Sequence, residues 1–473
     1  HPDMPHLFDQ MHVLNEGRFA SRYFPGVGLW MAPFVAVGHP CWGHWLAGAV
    51  TAVFVFGIGR ELANNGVGFL AGLLTALAPG QALFSNLLLS HHPTLLGLTL
   101  FLYCFMRMQR TRGTIDAVAA GTGLSYAMLC RPLTAFGVGL PFGLVFAAAW
   151  LRAIIGDRAD DRKVFLRLAI GLGGPILAGL LLLFAYDRAI TGSGWMTPYQ
   201  LYTDTYTPRH VYGFNNVVRG EQRLGPRVLD NYDRWAENLT LPLAMRNVRN
   251  RLLASWQWTV GLVPLLMTTI VFVVRPWQTN RGWWLIGAAI VSLHAVYVPY
   301  WYDGIMHWHY VFESGPLWTL LLAGVTGWLI GVWNQEGRTA MPVWWGLVLG
   351  AAVLVNWVSL PPFWSPSRLK AGVSEFAFAR QKYQVFHELI ERAVTERPAL
   401  VLVEPDPSDR HIDFVVNDPG LDADVLFGRW PTADERRLQE QLKHILRTFP
   451  DRTVYRFRAT DWTIWRIAKA EPA

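Results

Sequence analysis

The chain has 473 residues, of which 52% are hydrophobic, 14% aromatic and only 16% charged, with a formal net charge of +7. Soluble domains carry about 25% charged residues, so this composition excludes an ordinary water-soluble enzyme for most of the length and makes lipid the expected solvent. The basic excess does not point to nucleic acid, because Lys and Arg fall in short loops between apolar runs, where they orient membrane helices. No nucleic acid is expected among the partners, whereas the lipid bilayer is.

Taken in order, the chain opens on a polar stretch, HPDMPHLFDQMHVLNEGRFASRYFPGVG (1–28), that carries Asp9, His12, Arg18, Arg22 and Tyr23. Beginning on His inside such a loop, it is expected to have lost a segment upstream. Residues 25–37 are apolar but too few to cross a bilayer, which predicts a re-entrant or interfacial helix. Ten runs of about the required 20 residues follow, near 41–60, 66–86, 92–108, 115–130, 133–153, 165–186, 253–274, 282–301, 312–333 and 341–360. The basic loops RMQRTR (107–112), RAIIGDRADDRK (152–163), RPWQTNR (275–281) and NQEGR (334–338) fall on one side if the spans alternate, and that side is cytoplasmic by the positive-inside rule. Five polar pieces then share the opposite face: the opening loop, the turn at 90–94, the stretch 187–251, the turn 302–311 and the tail beyond 361.

Pro361, Pro362 and Pro366 end the last span. The tail reads as a helix near 374–396, strands at ALVLVE (399–404), IDFVV (412–416), ADVLF (423–427), TVYRF (453–457) and TIWRI (463–467), and a helix near 432–447. The predicted fold class is mainly α: a polytopic transmembrane helical bundle over 1–361, with extracytoplasmic loops 1–40 and 187–251, followed by a small α/β extracytoplasmic domain over 362–473. Multi-pass localisation in a membrane follows. Cys41, Cys104 and Cys130 lie in or beside apolar runs without metal or disulfide spacing and read as small buried hydrophobes.

Candidate functional residues gather on the outer side. Arg22 and Tyr23 stand at the mouth of the first apolar run, where a guanidinium fork suits a lipid phosphate; interfacial snorkelling is the plain structural reading. Arg131, in CRPLTA, sits at a proline break between spans, a costly place for an unpaired charge, and is a second phosphate candidate. Of the pair His91-His92, His91 is a candidate for lining a polar cavity, although capping or interface bonding explains it too. WYDGIMHWHYVFESGP (301–316) brings Asp303, His307, His309, Tyr310 and Glu313 together at the start of a span, and its His-x-His spacing is weak grounds for a metal. The aromatic and hydroxyl-rich stretch 191–216, with Arg209 and His210, suits carbohydrate, whose ring faces stack while its hydroxyls are hydrogen-bonded; a membrane-interface belt explains its aromatics equally. A helical turn would place Asp9 and His12 on one face.

Four pieces of the chain resemble the membrane-embedded GT-C glycosyltransferases, in particular bacterial family-39 proteins of the protein mannosyltransferase and aminoarabinose transferase type. HPDMPHLFDQMHV with SRYFPGVGL is similar to the end of that group's first loop. CRPLTA resembles its Arg-Pro-Leu break, TGSGWMTPYQLYT with PRHVYGFNN its middle loop, and FVVNDPGLDAD with FPDRTVYRF its small terminal periplasmic domain. The resemblance implies a sugar transferred from a polyprenyl-phosphate donor to an extracytoplasmic glycan, lipid or protein acceptor. It implies that Arg22 contacts the donor phosphate and that Asp9 is the acid ending the first loop, the visible candidate for a base, while the class's usual base lies upstream of His1. Phe24 replaces the first proline of the usual pair. No cofactor is implied, and a divalent metal stays open. Other readings of the same composition are a transporter or lipid flippase, which would favour repeated halves and broken helices, and a non-catalytic cell-envelope scaffold.

Overall fold

A computed structural model describes residues 4, 6–15, 18–155, 159–221, 228–275, 280–409, 412–431 and 435–467. The first residues of the opening loop, the middle of the basic loops 152–163 and 275–281, and the start of the helix expected from 432 lie outside them. By compactness the chain divides into two units. A helical unit takes 24–186 and 240–374; a polar unit gathers 1–23, 187–239 and 375–473. The polar unit thus draws on three segments separated in sequence.

In the helical unit every apolar run becomes a helix, but not every helix can cross a bilayer. Among the described residues five are long and apolar enough: Pro40–Leu62, Pro132–Ile155, Asp160–Thr191, Ile305–Gln335 and Ala340–Trp357, with a sixth if one bent pair counts as a span. The expectation of ten spans is therefore reduced, for identifiable reasons. The run 66–86 breaks at Pro79 into Asn65–Ala76 and Pro79–Phe84, because proline lacks the N–H that would continue the first helix. Thr114–Cys130 has only 17 residues and ends at Arg131 before Pro132. The run 253–274 is split into Leu241–Thr259 and Leu262–Val274, bent by 112°, where Gly261 adopts φ 138°, open only to glycine. Its N–H still bonds to the Trp256 carbonyl at 2.8 Å, and the buried Val260 carbonyl accepts from Asn356 Nδ2 at 3.0 Å. Pro25–Ala36 is the short apolar helix expected. The central pair, His91–Thr111 and Thr114–Cys130, meets through Gly97 and Gly123, where a Cβ on either would come within 2.7 Å of the other's carbonyl oxygen; such small-residue contacts let membrane helices pack at van der Waals distance.

The polar unit holds a short antiparallel hairpin and a sheet. The hairpin pairs β1 (Val13–Leu14) with β2 (Ala20–Ser21). The sheet contains β3 (Ala399–Glu404), β4 (Val425–Arg429), β5 (Thr453–Arg458) and β6 (Thr463–Arg466) in the order β4-β3-β5-β6. Both neighbours of β3 are parallel to it and β6 is antiparallel to β5. As expected of a parallel central strand, β3 is a continuous apolar run buried on both faces. Val401 and Val403 pack with Phe386 and Ile390 of the helix Arg368–Ala393, while Leu400 and Leu402 pack with Ile445 of the helix Glu435–Thr448 and with Leu7 and Phe8 of the opening loop. This period of two welds the first residues of the chain to its last domain.

IDFVV is not a strand, although Ile412, Phe414 and Val415 are buried in the core. The amide of Asn417 takes both backbone groups of Phe427, accepting its N–H at 2.8 Å and donating to its carbonyl at 2.7 Å, so the edge of β4 is already occupied there. The Asp413 carboxylate meanwhile receives two bonds from Arg429, at 2.8 and 2.6 Å.

Candidate functional site

In the polar unit the β1–β2 hairpin sets Arg22, whose N–H donates to the His12 carbonyl at 3.1 Å. Its side chain is 7% exposed and enters a group of tyrosine rings, with its guanidinium carbon 5.0 Å from the centroid of Tyr23, 4.8 Å from Tyr199 and 4.7 Å from Tyr202. Tyr199 and Tyr202 come from the helix Pro198–Tyr206, started by Pro198 and capped by Thr197 Oγ1, which accepts from the Gln200 N–H at 3.1 Å. Among the described residues no carboxylate pairs with Arg22, and its Nε is buried without a hydrogen-bond partner. Rings over a guanidinium stabilise its charge by about 1–2 kcal/mol but cover its faces and leave its donors in the plane, where an anion would take them.

The loop is fastened by two tyrosine hydroxyls: Tyr202 accepts from the His12 N–H at 3.1 Å and Tyr206 from the Asn15 N–H at 2.9 Å. His12 is held at φ 64°, and its ring lies 6.0–6.3 Å from those of Tyr23, Tyr202 and Tyr232. His210 stacks on Tyr232 at 4.5 Å and donates through Nε2 to the Tyr232 carbonyl at 2.8 Å. Arg209 uses its backbone N–H on Asp233 at 3.1 Å. Thus Arg22, Tyr23, His12 and His210 come together around a tyrosine cluster. Asp9 does not join them: no helical turn links it to His12, because β1 starts at Val13 and His12 is left-handed. Its buried carboxylate faces His6 Nδ1 at 3.1 Å, and its carbonyl accepts from Arg429 Nε at 2.8 Å. Burial pushes the Asp9 carboxyl above the ordinary carboxylate range, against the opposing pull of His6 and Arg429.

The helical unit holds a second cluster. Arg131, 8% exposed, donates to Glu313 Oε1 at 2.8 Å, to the His309 carbonyl at 3.3 Å and to His91 Nδ1. His91 Nδ1 also lies 3.2 Å from Glu313 Oε1, and its Nε2 lies 3.2 Å from His309 Nδ1. Glu313 Oε2 is buried without a partner among the described residues. Tyr310 packs against Tyr297 at 5.1 Å. Asp303 belongs to an adjoining group, bonded to His307 at 2.6 Å and Asn250 at 3.1 Å. The sequence reading offered Arg131 as a second phosphate contact; in the structure its Nη1 is shared among Glu313, His91 and the His309 carbonyl. Among the described residues no group of three or more His, Cys, Asp or Glu side chains could hold a metal ion.

Three features escaped the sequence reading. The buried Arg251 donates to the carbonyls of Tyr297 (2.5 Å), Tyr300 (3.1 Å), Tyr302 (2.6 Å) and Asp303 (3.3 Å) and so fixes the turn leading to His309; its signal was an arginine two residues before the apolar run that starts near 253. The spacing of Tyr199, Tyr202 and Tyr206 puts all three near one helix face. Asp187 closes the apolar run LLLLFAY just beyond the expected span end at 186.

No family model matches the chain, and no curated protein matches it. Among solved structures, the apo form of the Archaeoglobus fulgidus oligosaccharyltransferase is similar at 12% identity and a TM-score of 0.41, over 83% of this chain and 53% of that one. The chain therefore spans about half the length of that protein. A likeness of that size carries no argument.

Proposed function

We propose that the chain is an integral-membrane glycosyltransferase of the GT-C kind that passes a sugar from a polyprenyl-phosphate donor to an extracytoplasmic glycan, lipid or protein acceptor. The observation that carries this reading is Arg22, a buried cation with no carboxylate among the described residues, walled by tyrosines. A buried charge kept without a counter-ion costs several kcal/mol, a cost that a bound anion removes, and tyrosine faces beside it suit a sugar ring. The reaction is direct displacement at the anomeric carbon. The acceptor hydroxyl loses its proton to a carboxylate, its oxygen bonds to the anomeric carbon, and the phosphate leaves with the bonding pair, stabilised by Arg22. In this reading Arg131 braces the helical unit, and Asp9 supports the loop that presents Arg22. The membrane is a bacterial-type inner membrane with the tail outside the cytoplasm.

The test is binding of polyprenyl monophosphate to the full chain in nanodiscs. Arg22→Lys keeps the charge but loses the fork and weakens binding several-fold, while Arg22→Ala weakens it by about 10- to 100-fold, the worth of a hydrogen bond to a charged group. Equal affinity in wild type and Arg22→Ala overturns the assignment. Reporters fused after residues 112, 163 or 281 should read cytoplasmic and one after 361 extracytoplasmic. A lipid flippase is the second reading, favoured by the bent pair at Gly261; it moves the lipid-linked sugar across the bilayer with the glycosyl bond intact.

A further inference from the structure

Asp187 is a second buried, unpartnered charge in the polar unit. It is 3% exposed, and its Oδ1 is buried without a hydrogen-bond partner among the described residues. Its helix, Ala159–Thr191, ends one turn later, and on that last turn Ile190 packs against the cluster of Leu14, Tyr202, Tyr206 and Leu229. Residues three apart share a helix face, so Asp187 stands on the face that carries Ile190 into the cluster, about 4.5 Å along the helix axis from Ile190. Tyr202 is a wall of the Arg22 cage. One tyrosine cluster thus has a guanidinium and a carboxylate buried at its borders, and no ion pair joins the two among the described residues. Had the two charges served folding alone, pairing them would have offset part of the desolvation cost that each bears. Ionisable groups left unpaired at the end of an apolar helix are functional candidates for that reason.

We infer that Asp187 is the carboxylate that receives the acceptor hydroxyl of the site whose anion sits on Arg22. The inference rests on the glycosyl-transfer reading. Asp187 accepts the hydrogen bond of the acceptor O–H and then its proton, as the acceptor oxygen bonds to the anomeric carbon and the bond to the phosphate oxygen breaks. The phosphate leaves on Arg22, and the protonated Asp187 returns its proton to water.

The experiment uses the full chain in nanodiscs and reads two quantities: affinity for polyprenyl monophosphate, and release of label from a polyprenyl-phosphate sugar in the presence of membrane extract as acceptor source. Asp187→Asn should leave affinity within about threefold of wild type and lower turnover by ~10²-fold or more, the usual loss with a general base, and Asp187→Glu should restore part of it. Turnover of Asp187→Asn within threefold of wild type overturns the assignment, as does a parallel loss of affinity and turnover in both variants, which marks a structural carboxylate. If Arg22→Ala binds polyprenyl phosphate like wild type, or wild type neither binds it nor releases label, the transfer reading itself fails. If Arg22→Ala loses affinity while Asp187→Asn changes nothing, only the present inference fails.

Discussion

Arg22 and Arg131 are buried alike, at 7% and 8% exposure, yet their surroundings differ. Arg131 spends its charge on Glu313 and shares its hydrogens with His91 and the His309 carbonyl, so it joins three segments of the helical unit that are distant in sequence. Arg22 has rings where Arg131 has an acid. Burial alone therefore does not mark a ligand-binding arginine. What separates the two is whether the counter-charge is already supplied by the fold.

The sharpest way to break this comparison is to remove each arginine in turn and follow thermal unfolding. Arg131→Ala leaves Glu313 uncompensated and should cost about 3–5 kcal/mol, as for a buried ion pair that loses one partner. Arg22→Ala strands no acid and should cost only its ring contacts, about 1–2 kcal/mol. Equal losses would make Arg22 a structural residue. Glu313→Gln should fall below Arg131→Ala, because the amide oxygen still accepts from Arg131; its melting temperature, compared with that of Arg131→Ala, checks the order. Tyr202→Phe keeps the ring over Arg22 but deletes the acceptor of the His12 N–H, and should cost about 1 kcal/mol in stability with little change in polyprenyl-phosphate affinity. A fall in affinity as large as that of Arg22→Ala would make the hydroxyl, rather than the ring, the part that matters.

The smallest effect concerns Asp9. Burial raises its folded pKa above the unfolded value, so the folded chain holds the proton more tightly than the unfolded one. Its contribution is then fully present below the ordinary carboxylate range and is lost as pH rises through the raised value. Asp9→Asn should flatten the decline of stability just above the ordinary carboxylate range, as followed by melting temperature against pH; a wild-type curve parallel to that of Asp9→Asn would place the carboxylate in contact with water.

Much of the helical unit was legible because apolar run length is a local property. Where a run continued through a break, as at Val260-Gly261, the composition stayed apolar and only Gly261 with Pro264 hinted at the bend. Four of the five strands expected in the tail form, and IDFVV fails through a side chain, Asn417, that competes for the ladder. The polar unit was harder to read, since nothing local in Leu7 and Phe8 says that they complete a core begun near residue 400. Arg22 and Tyr23 stood out by residue type and place, but the walls of the cage come from a helix more than 170 residues onward. Asp187 was hidden by an expected span boundary drawn one residue too early.

The bend at Gly261 also bears on biosynthesis. The Val260 carbonyl receives its bond from Asn356, 96 residues later in the chain. At about 5–20 residues per second of translation, that partner arrives roughly 5–20 s after the bend leaves the ribosome. During that interval the two half-helices must be inserted with a bare peptide group between them, so this segment is expected to dwell beside the translocon or a chaperone until the helix Ala340–Trp357 emerges, and Asn356→Leu should lengthen that dwell.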